Sequence, residues 1–168
     1  DDFHGSILEK YIGISLGTFI PVILLAVFAN NVSRIYFAHN LFGFWSDQPL
    51  THINQSALLP YSAGQLFDLV NDISCYPEFM DGCSAVEIIE KSEEQITARL
   101  ELGKARLRYS FTTCNTLKPS ESMTMTLVEG PFESFSAAWT FLALSENACK
   151  VSLDMEFEFS SGLVDAAR

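Results

Sequence analysis

The chain has 168 residues, a formal net charge of −11 and 48% hydrophobic residues. The apolar content excludes a disordered protein, and the length suits one domain with an appendage. The negative charge argues against a broad electrostatic grip on nucleic acid, because phosphate contacts need clustered Lys and Arg, so we expect no DNA partner.

The first element is an uncharged apolar run over residues 11–33, flanked by Lys10 and Arg34. A helix of this length can cross a bilayer, which would make residues 1–49 an N-terminal membrane anchor. Residues 1–49 can also be a non-native upstream translation, with Leu50 as the true initiator, or a buried hairpin. The sequence leaves these three interpretations open.

The main domain is predicted to span residues 50–168. The segment "THINQSALLP" is typical of a first strand, and "YSAGQLFDLVNDI" of a short amphipathic helix. Ser62 can cap the N-terminus of that helix, and Leu66, Phe67 and Val70 share one of its faces. The domain is therefore expected to open with a strand followed by a helix.

An aromatic loop, "CYPEF", follows this helix. Pro77 stiffens the backbone between Tyr76 and Phe79. Two interpretations stay open for these aromatic residues: ordinary core packing, or the lip of a pocket that receives an apolar ligand.

From Cys83 onward, apolar and polar residues alternate, as half-buried strands require. Breaks at "LGK", "KPSES", "EGPF" and "SENA" fit turns between neighbouring antiparallel strands. The pattern predicts an α+β domain with a long curved antiparallel sheet that has one apolar face. Such a face needs a cover, so a C-terminal helix is expected after Phe159, truncated at Arg168.

The inward-facing residues are candidates to line a ligand pocket, with core filling as the alternative. Almost no polar group is expected among them, and all three histidines precede residue 53, so no enzyme activity is predicted. The four cysteines are too widely spaced for a zinc site, and no metal or cofactor is expected. The candidate ligand-binding residues are Leu66, Val70, Tyr76, Phe79, Tyr109, Phe111, Met123, Met125, Trp139, Phe141, Leu153 and Met155.

A small basic cluster is the second candidate site. Lys104, Arg106 and Arg108 are predicted on the outward face of one strand, with Arg99 on the preceding strand. Such a cluster can contact RNA phosphates, or it can be an ordinary solvated strand face.

Several segments together carry a family resemblance: "ALLPYSAGQLFDLVNDISCYPEFMDGC", "FTTCNTL", "LVEGPF", the Trp139–Phe141 triplet and "ACKVSLDMEFEFSSGLVD". From Leu50 to Ala167 the chain resembles the START-like coenzyme Q-binding proteins of the polyketide cyclase/dehydrase superfamily, and within it the ribosome association toxins of bacteria. Members of the family usually carry an arginine at the position of Cys114, and they have nothing like residues 1–49.

The resemblance implies a helix-grip fold, in which a seven-stranded sheet wraps a long C-terminal helix around an apolar cavity. It implies first a ubiquinone-type lipid as bound ligand, in a carrier or chaperone that supports respiratory electron transport. The alternative is association with the large ribosomal subunit, which blocks subunit joining, and a second alternative is a cyclase-like enzyme. The expected location is the cytoplasm, either free or at the bacterial inner membrane as a peripheral or anchored protein.

Overall fold

The computed structural model describes residues 50–80, 82–104 and 107–160. The predicted anchor, the other residues of the 1–49 segment and the predicted C-terminal helix lie outside these ranges. Within them, no helix has the length and apolar character needed to cross a membrane.

The described chain forms an antiparallel sheet with two short helices between its first two strands. The sheet order is β1-β7-β6-β5-β4-β3-β2, which confirms the predicted α+β meander of seven strands. The strands are β1 (Thr51–Leu59), β2 (Cys83–Lys91), β3 (Gln95–Lys104), β4 (Leu107–Lys118), β5 (Ser122–Glu129), β6 (Phe132–Ser145) and β7 (Ala148–Phe159). The helices are α1 (Ala63–Asn71) and α2 (Tyr76–Phe79), joined by a 3₁₀ turn (Ile73–Cys75).

Helix α1 begins with the predicted cap at Ser62. The Ser62 hydroxyl accepts a hydrogen bond from the backbone N–H of Gln65 at 3.2 Å, and the Gln65 side chain accepts one from the Ser62 N–H at 3.0 Å. This reciprocal capping box satisfies two donors that would otherwise lack partners. The predicted apolar face, with Leu66 and Val70 at its centre, is buried.

The two helices connect the two edges of the sheet. Strand β1 is one edge and β2 is the other, so the chain between them must cross the whole sheet. On the way, α1 packs against β6 and β7, and α2 packs against β2. The helices therefore cover part of the buried face, close to the side chains predicted to line a pocket.

One predicted turn is wrong. The break at "LGK" predicts a turn over residues 102–104, but these are the last three residues of β3, and Lys104 pairs with Leu107 at the start of β4. Gly103 serves a close backbone approach instead: its N–H donates to the Gly82 carbonyl at 2.7 Å, and a Cβ on Gly82 would lie 3.1 Å from the Gly103 oxygen. Lys104 and Arg108 consequently belong to two strands, not to one face of one strand as predicted.

Candidate functional site

The middle of the buried face is one cross-strand row, here called the central row. Its members lie directly opposite one another on six neighbouring strands: Ile96, Asn115, Met125, Ala137, Met155 and Ile53. Asn115 is the single polar member of this row. Two flexible methionines and a small alanine give the row an adaptable surface.

On one side of the central row the buried face is filled with rings. Five phenylalanines of β4, β6 and β7 contact one another, with centroid separations between 4.9 and 6.0 Å. We call Phe111, Phe132, Phe135, Phe157 and Phe159 the phenylalanine cluster. Tyr109, which is half-buried, makes an edge contact with Phe159 at 6.5 Å. The predicted pocket residues Tyr109 and Phe111 thus lie in or beside a packed aromatic block.

On the other side of the central row, helix α1 covers the sheet. Trp139 stacks on Phe141, and Phe67 of α1 meets Phe141 edge-on at 5.6 Å. Between α1, β1 and β7 lies a mostly apolar crevice that offers about 20 Å³ to the centre of a water molecule. That volume holds about one water and no isoprenoid chain. Four of the predicted pocket residues line it: Leu66, Val70, Trp139 and Leu153.

Tyr76, predicted either as core or as a pocket lip, lies in the core with 6% of its surface exposed. Its hydroxyl donates to the carbonyl oxygen of Val70 at 2.6 Å. Pro77 is exposed, and the side chain of Phe79 lies outside the described part of the structure. Of the remaining candidates, Met123 and Met155 are buried and Met125 is half-buried.

Two buried polar side chains on the inward face of the sheet were missed in the sequence. Thr113 and Asn115 of β4 are 0% and 1% exposed, and among the described residues neither Thr113 Oγ1 nor Asn115 Oδ1 has a hydrogen-bond partner. Continuing the β4 alternation from Tyr109 and Phe111 would have placed both on the inward face. The expectation that almost no polar group faces inward is therefore wrong for β4.

The structure describes the side chains of only two of the four basic residues that are predicted to contact the ribosome, Arg99 and Arg108. On the outer face, Arg99 pairs with Glu87 at 3.3 Å and with Glu129 at 3.7 Å. These ion pairs lie in one cross-strand row with Thr112, which is buried. Arg108 is exposed at the start of β4. The Lys104 side chain and all of Arg106 lie outside the described residues.

The outer face of β7 is acidic, at the other side of the sheet. Asp154 accepts hydrogen bonds from Asn54 at 2.6 Å and from His52 at 3.1 Å, and these contacts hold the pKa of its carboxyl below the ordinary value. Glu156 is exposed two residues further on. Contact with RNA phosphates is thus disfavoured on this side of the sheet.

The comparisons agree with this architecture. Residues 59–168 match the family described as polyketide cyclase / dehydrase and lipid transport. The chain is 49% identical over 116 residues to Ribosome association toxin RatA of Pseudomonas aeruginosa, covering 69% of this chain and 81% of that protein.

Two solved structures share the fold at low sequence identity. The Zhui aromatase/cyclase of Streptomyces sp. R1128 aligns with a TM-score of 0.61 at 18% identity, over 67% of this chain and 70% of that one. A START superfamily protein of Mycobacterium smegmatis aligns with a TM-score of 0.57 at 15% identity, over 69% and 88%. The fold is thus the helix-grip type that the family resemblance implies. The chain belongs to the polyketide cyclase/dehydrase and lipid transport family.

Proposed function

We propose that this protein associates with the large ribosomal subunit and blocks the joining of the two subunits. The observation that carries the proposal is the 49% identity to a ribosome association toxin over 116 residues. The family resemblance implies ubiquinone binding first, and the comparisons favour the alternative, ribosome association. This activity would take place in the cytoplasm.

The end of the β3–β4 hairpin is the candidate contact with ribosomal RNA. Three of the ten Lys and Arg residues of the chain fall within residues 104–108. Arg99 is already held by Glu87 and Glu129, so a phosphate would have to displace one of these carboxylates. Better candidates are Lys104, Arg106 and Arg108. RNA binding depends on cationic side chains that replace the counterions around the phosphates.

The test is a subunit-joining assay followed by sucrose-gradient sedimentation. Purified full chain added to separated subunits should migrate with the large subunit and reduce the peak of joined ribosomes. Arg108→Glu should weaken both effects, whereas Lys150→Glu, a matched charge reversal on β7, should not. Unchanged joining at a large excess of the chain would refute the proposal.

As a second function we propose that the domain binds an apolar ligand of the ubiquinone type, as a carrier or chaperone in respiration. The supporting observation is the central row, where Met125, Ala137 and Met155 lie between two blocks of larger side chains. The flexible side chains of this row can adapt to a bound ligand more easily than packed aromatic rings can. Native mass spectrometry of the purified chain should detect a co-purifying lipid, and its absence after incubation with excess ubiquinone would count against this function.

We expect binding without catalysis at this site. The buried polar groups on the inward face of β4 are an amide and a hydroxyl, and neither acts as a general base near neutral pH without an activating partner. A cyclase-like activity would need such a partner on the same face.

A further inference from the structure

We infer that Thr113 and Asn115 form a hydrogen-bonding anchor for an apolar ligand that carries a hydroxyl group, such as a phenol, a polyprenol or a hydroquinone. The inference rests on the second proposed function, the binding of an apolar ligand. It adds the chemical group that the ligand must present and the two residues that recognise it.

Two polar atoms on the inward face of β4 are buried without a hydrogen-bond partner among the described residues. Thr113 and Asn115 are two residues apart on β4 and therefore share a face. Thr113 Oγ1 and Asn115 Oδ1 each expose almost no surface, and no described residue hydrogen-bonds to either atom. A protein normally pairs such atoms, because an unsatisfied buried polar group costs stability.

The residues opposite Thr113 and Asn115 on the neighbouring strands are apolar. Ala98 and Leu127 lie opposite Thr113 on the two neighbouring strands, and Ile96 and Met125 lie opposite Asn115. None of these side chains can donate or accept a strong hydrogen bond. A partner for the two β4 side chains must therefore approach from above the sheet, where a ligand of the domain would lie.

The shape of the buried face around Thr113 and Asn115 also favours a ligand. Small side chains, Ala98 and Ala137, lie near the polar pair, and flexible methionines complete the central row. The phenylalanine cluster fills one side of this row, and Trp139 with α1 fills the other. The part of the buried face best able to receive a ring or a chain terminus is thus the part that carries the polar pair.

The donor and acceptor chemistry then selects a hydroxyl. Asn115 Oδ1 can only accept a hydrogen bond, whereas the Thr113 hydroxyl can donate one. A ligand hydroxyl can donate to Asn115 and accept from Thr113 at the same time. A quinone carbonyl or an ether oxygen only accepts, so it would leave Asn115 Oδ1 unpaired.

The experiment compares 4-octylphenol with 4-octylanisole, its methyl ether, by calorimetric titration of the full chain. Both probes have the same ring and tail, and only the phenol can donate. We expect the phenol to bind about 10-fold more tightly, as one buried hydrogen bond would provide. Equal affinities would overturn the inference and leave apolar binding intact, whereas no binding of either probe would overturn both. Ubiquinol and ubiquinone, titrated without oxygen, should show the same preference if the ligand is a quinone lipid.

Two nearly isosteric variants test whether Thr113 and Asn115 cause the tighter binding of the phenol. Asn115→Leu and Thr113→Val should each reduce the phenol preference to about twofold or less, and Thr116→Val, an exposed site on the same strand, should keep it. Without ligand, the two anchor variants should melt no lower than the unaltered chain, since they remove unpaired polar atoms. A preserved preference, or a clear drop in the melting temperature of both variants, would contradict the inference.

Discussion

The Tyr76 hydroxyl lies 2.6 Å from the Val70 carbonyl oxygen and donates a hydrogen bond to it. The contact ties the first residue of α2 to the last turn of α1, across the 3₁₀ turn. Burial, with smaller effects from Cys83 and Asp72, raises the pKa of the Tyr76 hydroxyl above its ordinary value of 10.0. The aromatic residue before Pro77 thus stabilises the crossing between the two sheet edges.

Replacing this hydroxyl gives the first prediction. Tyr76→Phe should lower the free energy of unfolding by about 1–2 kcal/mol, because the Val70 carbonyl loses its donor while the ring remains. Urea unfolding at neutral pH, with Tyr61→Phe at a less buried site as control, measures this change. A loss no larger than that of the control would contradict it.

The raised pKa of Tyr76 also predicts how the free energy of unfolding depends on pH. Because the pKa of Tyr76 is raised in the folded chain, its contribution is intact below pH 10.0 and decreases as the pH rises further, since the unfolded chain releases its proton first. Tyr76→Phe should remove this part of the alkaline loss. Identical alkaline unfolding curves for the two proteins would show that Tyr76 does not titrate in this way.

Replacing either of two glycines by alanine should change the stability of the domain, in opposite directions at the two positions. A Cβ at Gly130 would lie 2.6 Å from Phe111 Cβ, so Gly130→Ala must displace packed atoms and should cost about 1–3 kcal/mol. A Cβ at Gly64, inside α1, would meet Ser120 Oγ at 3.4 Å, an ordinary contact. Gly64→Ala should therefore stabilise by about 0.5–1 kcal/mol through helix propensity. Thermal melts of both variants test the pair, and a shift of the same sign in both would count against this account.

The Asp154 cluster offers a fourth test, which needs no stability measurement. Asn54 is the largest cause of the lowered pKa of the Asp154 carboxyl, followed by the hydrogen bond from His52. Asn54→Ala and His52→Ala should each raise the pKa toward the ordinary value of 3.8, because each removes a hydrogen bond to the Asp154 carboxylate. Carboxyl chemical shifts followed by NMR titration would measure both pKa values, and an unchanged pKa in either variant would be inconsistent with this geometry. The lowered pKa also means that the contribution of this carboxylate to stability is present above pH 3.8 and is lost as the pH falls further.

The strands and α1 could be predicted because their patterns are local. Period-two alternation identified the residues of β7 that face inward, and Ser62 marked the start of α1. The turn after β3 was placed wrongly because Gly103 serves a close approach to Gly82, a contact far away in sequence. Alternation tells which residues share a face, but not where the chain reverses.

The candidate site was harder to predict, because it depends on register. Alternation along β4 places Thr113 and Asn115 on the inward face, but their lack of hydrogen-bond partners depends on which residues lie opposite them on the neighbouring strands. The two ion pairs of Arg99 likewise require Glu87 and Glu129 to lie on neighbouring strands at the matching register. Neither arrangement can be recognised from the sequence of a single strand.

The last prediction concerns position 114 and the proposed ribosome contact. Cys114 lies on the outer face of β4, opposite Thr97 and Thr126, and its sulfur accepts a hydrogen bond from Gln95 at 2.8 Å. The family resemblance implies an arginine here. Cys114→Arg should strengthen binding to large ribosomal subunits several-fold at low salt and steepen its salt dependence by roughly one counterion. Cys114→Gln, long but neutral, is the matched control, measured by co-sedimentation at several salt concentrations. If both variants bound alike, the outer face of β4 would not contact phosphate, and the ribosome contact would have to be sought elsewhere on the domain.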